Sequence, residues 1–305
     1  MFVADAHCDT LYSIAIHGKD PAECMITADR LAKGGVGLQT FALFAGAGGV
    51  KGHPYENGQA MLAARDRLGV PLLQGDLPDT PPETPHGVIS IEGGEMLEGS
   101  LERLREFDAA ARVRMIALTW NFDNEIGFPA KGASGKGLTP FGIALLGEMD
   151  RLGILPDCSH LNEAGFWDVV EHAALPPIAS HSNLKTLCGH SRNLTEAQVK
   201  AVIEKGGFIG VNFYSCFLRD GGGATLDDVL RHIDGIAQLG GIDVLGFGSD
   251  FDGIDEWPEG LGDPSAFPAL LELLEKHGYT EADIAKIAGL NLWNVLKRAE
   301  KARKV

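Results

Sequence analysis

Basic residues are in short supply: 26 lysines and arginines stand against 42 aspartates and glutamates, a formal net charge of -16 over 305 residues. A chain so acidic repels phosphate backbones and anionic headgroups, so neither nucleic acid nor a membrane is expected as its partner. Cysteine is sparse as well. The five (Cys8, Cys24, Cys158, Cys188 and Cys216) are scattered, odd in number and without a CxxC pair. That excludes a disulfide framework and suits a reducing, cytoplasmic setting. No basic stretch followed by a long apolar run opens the chain, so no secretory signal is expected. No apolar run approaches the roughly 20 residues that span a bilayer. A GxGxxG fingerprint after the first apolar run is also missing, which weighs against a dinucleotide-binding fold.

What is present is ordinary globular composition, 45% apolar and 22% charged, long enough to bury a large core without a disulfide or metal staple. Eight short runs rich in branched or aromatic residues recur along the chain: 1–9, 36–45, 87–95, 114–121, 154–161, 176–183, 207–214 and 243–253. Each is continuous rather than alternating, the pattern of strands covered on both faces in a parallel sheet. Between them lie amphipathic stretches with helix signals. "NLTEAQVKAVIEKGG" (193–207) offers Thr195 as N-cap and a glycine stop, "TLDDVLRHIDGIAQLGG" (225–241) repeats that grammar, and "PFGIALLGEMDRLG" (140–153) carries Pro140 in its first turn. Eight strands alternating with helices predict an α/β fold of the closed (β/α)8 TIM-barrel type, one domain over 1–305, rather than an open doubly wound sheet. The segment 280–305 is expected to be a C-terminal helical extension with a solvated basic end. The proline-rich "GDLPDTPPETPHG" (75–87) is expected to be a surface connection within the domain.

In such a barrel the carboxyl ends of the strands converge on one face, where active sites are built. At those ends stand His7 and Asp9 on the first run, Glu92 on the third, His160 on the fifth, His181 on the sixth and Asp250 on the eighth. Any one of them alone is more often a solvated, capping or hydrogen-bonded side chain. Glu92 is harder to dismiss, because a carboxylate directly after "VISI" is buried and a buried charge needs partners. His7 and Asp9, two apart, point to the same side and can grip one ion together. Three histidines and three carboxylates at the same end of different strands read as a metal site. Six ligands exceed the three protein ligands of an ordinary catalytic zinc, whereas two ions sharing a bridging carboxylate would use them well. Nitrogen and oxygen donors without thiolate suit zinc, cobalt or manganese. Cys8 is expected to point away from His7 and Asp9, a buried thiol and not a ligand.

With "DAHCDT", "SIEGGE", "LTWN", "DCSHL", "SHSN", "HSRN" and "GSDFDG" in order along nearly the whole chain, the sequence resembles the membrane dipeptidase (renal dipeptidase) family of zinc peptidases, amidohydrolase-like metal barrels. The resemblance implies that His7 and Asp9 hold one zinc, that His160 and His181 hold the other, and that Glu92 bridges them. It places Asp250 beside the reacting water, where a proton is collected and passed to the leaving amine, and Arg192 on the substrate's terminal carboxylate, for which its fork is suited. One position departs from the family: Trp120 stands where a histidine polarises the scissile carbonyl, which leaves Asn121 or Asn124 as the alternative donor. The expected activity is hydrolysis of small dipeptides, including those with a carboxyl-terminal D-residue. Self-association into a homodimer is a further expectation. Rival readings are an amidase, lactonase or deaminase on the same barrel, or a barrel that binds metal without catalysis. The complete ligand set weighs against the last.

Overall fold

Eight strands, β1 (Val3–Asp5), β2 (Val36–Phe44), β3 (His86–Glu92), β4 (Val113–Ala117), β5 (Leu155–Asp157), β6 (Ile178–Ala179), β7 (Phe208–Val211) and β8 (Leu245–Phe247), pair in parallel and in chain order into a closed barrel. This computed structural model describes residues 1–46, 48, 52–132 and 134–304. The (β/α)8 arrangement read from the eight apolar runs is therefore the observed one; six strands fall inside their runs, and β3 and β4 each begin one residue earlier, at His86 and Val113. Helices cover the outside, which is why the strands are apolar on both faces. The expected caps form: Thr195 and Thr225 make capping boxes for the helices Glu196–Lys205 and Leu226–Gln238, and Pro140 opens Pro140–Leu152, which stops at Gly153 with φ 66°. Among the described residues no helix is long and apolar enough to cross a membrane.

The strands are shorter than the runs that announced them, and the reason lies at their carboxyl ends. Asp5, fully buried, accepts from Ser249 N (2.8 Å), Ser249 Oγ (2.6 Å) and Gln39 Nε2 (3.0 Å), which ties the ends of β1, β2 and β8 together. Asp157 does the same for β5 and β6, accepting from Ser159 N and Ser180 N, each at 2.9 Å. These carboxylates take over from the strand ladder, so the residues just beyond, His7 and Asp9 or Ser159 and His160, leave the sheet and turn toward the barrel axis.

The carboxyl-terminal segment is not a mere extension. Leu292, Trp293, Val295, Leu296 and Ala299 of the helix Asn291–Ala302 pack with Ala4, Leu38, Val88, Met115, Leu155, Ile178 and Phe208, one residue from each of seven strands. The helix closes the amino-terminal mouth of the barrel. Its basic end is solvated at Lys301 and Lys304, as expected, but tied down at Arg303, which donates to Asp108 Oδ2 (2.7 Å) and to Leu152 O (2.6 Å). The proline-rich connection runs over the same floor, where Leu77 N meets Glu300 Oε2 at 2.8 Å and Lys297 Nζ meets Leu77 O at 2.7 Å. Buried Arg114 reaches Glu300 Oε2 at 3.0 Å. Stability sits at this end and chemistry at the other.

Candidate metal centre

Glu92, the last residue of β3, is buried over the barrel axis and divides its two oxygens between two groups of side chains. Oε2 stands 3.5 Å from His7 Nε2, and that nitrogen is also 3.5 Å from Asp9 Oδ2 and 3.7 Å from Asp250 Oδ1. Oε1 stands 3.0 Å from His160 Nε2 and 3.5 Å from His181 Nε2. The six residues expected as ligands and proton carrier thus come together. Two of them sit in left-handed backbone, His160 at φ 69° and Asp250 at φ 66°. Such a conformation is uncommon for residues with a side chain and persists where the surroundings demand it.

Hydrogen bonding behind the site tests whether a cation belongs in it. Ser180 has one hydroxyl proton, and the Asp157 carboxylate takes it. Ser180 Oγ must then accept from His181 Nδ1, 2.7 Å away. His160 Nδ1 faces Asn121 Oδ1 at 3.1 Å and donates there. Both imidazoles therefore turn bare Nε2 lone pairs inward, 3.0 Å from each other and beside the Glu92 carboxylate. Two bare imidazole nitrogens and an ionised carboxylate oxygen repel, unless a proton or a cation lies between. His7 Nε2 stands too far from the neighbouring carboxylate oxygens for hydrogen bonds and has no hydrogen-bond partner, like Asp9 Oδ1. Ligands about 2.1 Å from a tetrahedral metal stand roughly 3.4 Å apart, and the separations above bracket that value. Charge agrees. Burial, with Asp9 adding to it, pushes Glu92 up to about 8, a carboxylate short of positive charge. Burial disfavours the His7 imidazolium, yet Glu92 and Asp9 outweigh it and hold its pKa well above the usual value. The donor set fits a divalent metal with nitrogen and oxygen ligands. No thiol takes part: Cys8 Sγ turns away to Thr40 O at 3.3 Å.

A family model described as membrane dipeptidase (Peptidase family M19) matches residues 1–305, the whole chain. The chain belongs to the membrane dipeptidase family. An uncharacterized protein from the pqqA 5′ region of Klebsiella pneumoniae is 40% identical over 69% of this chain and 80% of its own length. An uncharacterized dipeptidase of Schizosaccharomyces pombe is 36% identical over 70% of this chain, and the match spans 52% of that longer protein. Among solved structures, a metallopeptidase from Rhodobacter sphaeroides liganded with a phosphinate mimic of the dipeptide L-Ala-D-Ala is 27% identical, covering 98% of this chain and 99% of that one with a TM-score of 0.85.

The dipeptidase-family centre opens into a cleft of about 530 Å³ lined by Asp9, Glu92, His160 and Asp250 with Tyr12, Phe44, Trp120, Asn121, Tyr214 and Phe217 among its walls. Asp250 is held by Asn212, whose Nδ2 donates to Oδ2 at 2.9 Å. Burial first, then the charge of Asp9, raises its pKa to about 6 against the opposing pull of His7. Asn121 lines the cleft, and its Oδ1 accepts from His160 Nδ1 at 3.1 Å. Asn124 lies away from the cleft lining. Its Nδ2 donates to Glu95 Oε2 and Leu118 O, both at 2.9 Å, and its Oδ1 accepts from Ile126 N and Gly127 N. The whole amide is spent on holding the loop after β4, so none of it is left for a substrate. Arg192 is buried with no carboxylate within 4.0 Å among the described residues, and its Nε lacks a partner. It lines a second cavity of about 290 Å³, and its Cζ stands 5.5 Å from the ring centroid of Phe217, a wall of the main cleft.

Sequence reasoning passed over the supporting residues: Asp157 and Ser180 behind His181, and Asn212 behind Asp250. The signal was a carboxylate ending the strand just before a histidine, in "PDCSH" as in "VADAH". Groups that orient a ligating imidazole are worth about 10–100-fold in metal affinity. Ser180→Ala frees His181 to rotate and change tautomer, so metal affinity should fall by that factor. Competition titration against a chromogenic chelator measures it; an unchanged affinity would mean that packing alone orients the ring.

Proposed function

We propose that this protein is a dipeptidase with two zinc ions in its centre, hydrolysing free dipeptides that include those with a carboxyl-terminal D-residue. The observation that carries this reading is the division of the Glu92 oxygens between the His7–Asp9 group and the His160–His181 group, which suits a carboxylate shared by two cations. When bound, the ions supply Lewis acidity and lower the pKa of water toward neutrality. The chain's own residues do the rest. Asp250, at about 6 and fixed by Asn212, takes the proton of the attacking water and returns it to the leaving amine. The acidic wall of Asp9 and Asp250 favours the substrate's ammonium group. Arg192, a buried cation with donors to spare, is the partner for its carboxylate. The cleft has the volume of a small-ligand site. The mimic of L-Ala-D-Ala bound by the Rhodobacter relative supports a D-residue at the second position here. Five unpaired cysteines suit a reducing cytoplasm.

The test is zinc-reconstituted protein against Gly-D-Ala, L-Ala-D-Ala and a dipeptide library, with N-acyl amino acids and lactones as rivals. Free dipeptides should be preferred by about 100-fold or more, because a site built for two charged ends leaves those groups unpaired with other amides. Faster turnover of lactones or acyl amino acids would move the protein to another hydrolase class. Metal-loaded protein inert on everything would leave a binding barrel.

A further inference from the structure

Opposite the charged wall, the rim of the cleft is aromatic. Rings follow one another from β1 to the loop after β4: Tyr12 and Phe44 with centroids 4.8 Å apart, Phe44 and Trp120 at 5.0 Å, Trp120 and Phe122 at 5.6 Å. Tyr12, Phe44 and Trp120 line the cleft and are half-buried, so each keeps apolar surface open to it. Trp120 also leans on His160, 6.1 Å between centroids. An indole has no acceptor and a single N–H, and what it mainly offers a ligand is a broad apolar face. In a closed ring of eight strands β2, which ends in Phe44, lies four strands from β6, after which Arg192 follows. A dipeptide with its carboxylate toward Arg192 and its scissile bond over Glu92 extends its first residue across the barrel, toward this arc.

We propose that Trp120 and Phe44 form an apolar subsite for the side chain of the dipeptide's amino-terminal residue, so that the preferred substrates begin with a large aliphatic or aromatic residue. The inference rests on the dipeptidase reading and adds to it the substrate class. A leucine or phenylalanine side chain buried there, against nothing buried for glycine, gives a preference of about 10–100-fold in kcat/KM.

The experiment uses the zinc-reconstituted full chain and two substrate series, X-Ala and Ala-X, with X as Gly, Ala, Leu or Phe. Phe-Ala and Leu-Ala should exceed Gly-Ala by about 10–100-fold, and the ratio should collapse toward one in Trp120→Ala while Trp120→Phe keeps most of it. Phe44→Ala makes the same comparison on a residue farther from His160, should the first variant lose metal. A ratio unchanged in both alanine variants overturns the subsite, as does selectivity that appears only in the Ala-X series. Cleavage of dipeptides without any preference for X sinks the subsite and leaves the dipeptidase intact. Cleavage of none sinks both.

Discussion

Glu92→Gln should strip the centre of both ions proposed for it and lower turnover by well over 100-fold, while the barrel stays folded. Loss of a group that merely orients a ligand costs about 10–100-fold, and Glu92 does more than orient. Its oxygens are 3.0–3.5 Å from Nε2 of three histidines on three strands. An amide in the same place brings no negative charge to offset two neighbouring cations, and it turns an N–H toward one of the groups. Both sites weaken together. The fold should tolerate the change, because the amide has the shape of the carboxylate and removes a buried charge that burial already penalises. Metal analysis of the purified variant, with circular dichroism to check the fold, measures the effect. Retention of two tightly held ions would show that Glu92 serves only one group.

Arg192→Ala should damage hydrolysis of free dipeptides far more than hydrolysis of the corresponding carboxyl-terminal amides. Truncating one partner of a buried, hydrogen-bonded charge pair costs about 2–5 kcal/mol, roughly 30- to several-thousand-fold in kcat/KM. Among the described residues Arg192 has only long bonds, to Ser182 Oγ at 3.4 Å and His181 O at 3.3 Å. Burial lowers its pKa to about 10 against the countering charges of Asp250, Glu92 and Asp157. A guanidinium so placed is ready for an anion. Lysine should restore part of the activity, lacking the fork. Equal losses on free and amidated substrates would make Arg192 structural, a brace for the loop after β6, and the protein a broader amidase.

The barrel was legible because its wall is covered on both faces, which turns each strand into a continuous apolar run that a reader can count. Helix starts were legible where the cap is local chemistry, as at Thr195, Thr225 and Pro140. Strand ends were overshot in "VADAHCD" and "GFGSDFD" because buried residues continue past the last ladder bond, where Asp5 takes over the backbone. The strand-end histidines and carboxylates could be gathered from topology alone. Side chains on loops could not, since no period fixes their direction: Asn124 turns inward to its own loop, and Arg192 is buried beside Phe217. The helix Asn291–Ala302 shows its apolar stripe in the sequence, but a stripe does not say whether it covers a flank or a floor.

That floor has a consequence for folding. Phe2 packs edge-on against Trp293, 6.1 Å between centroids, so β1 is covered by residues far along the chain. Without the helix Asn291–Ala302 the lower layer of the barrel would open to water. Closure depends on contacts spanning almost the full length of the chain, the kind that form slowly and expose apolar surface meanwhile. The floor of the barrel thus depends on a helix that never comes near a substrate.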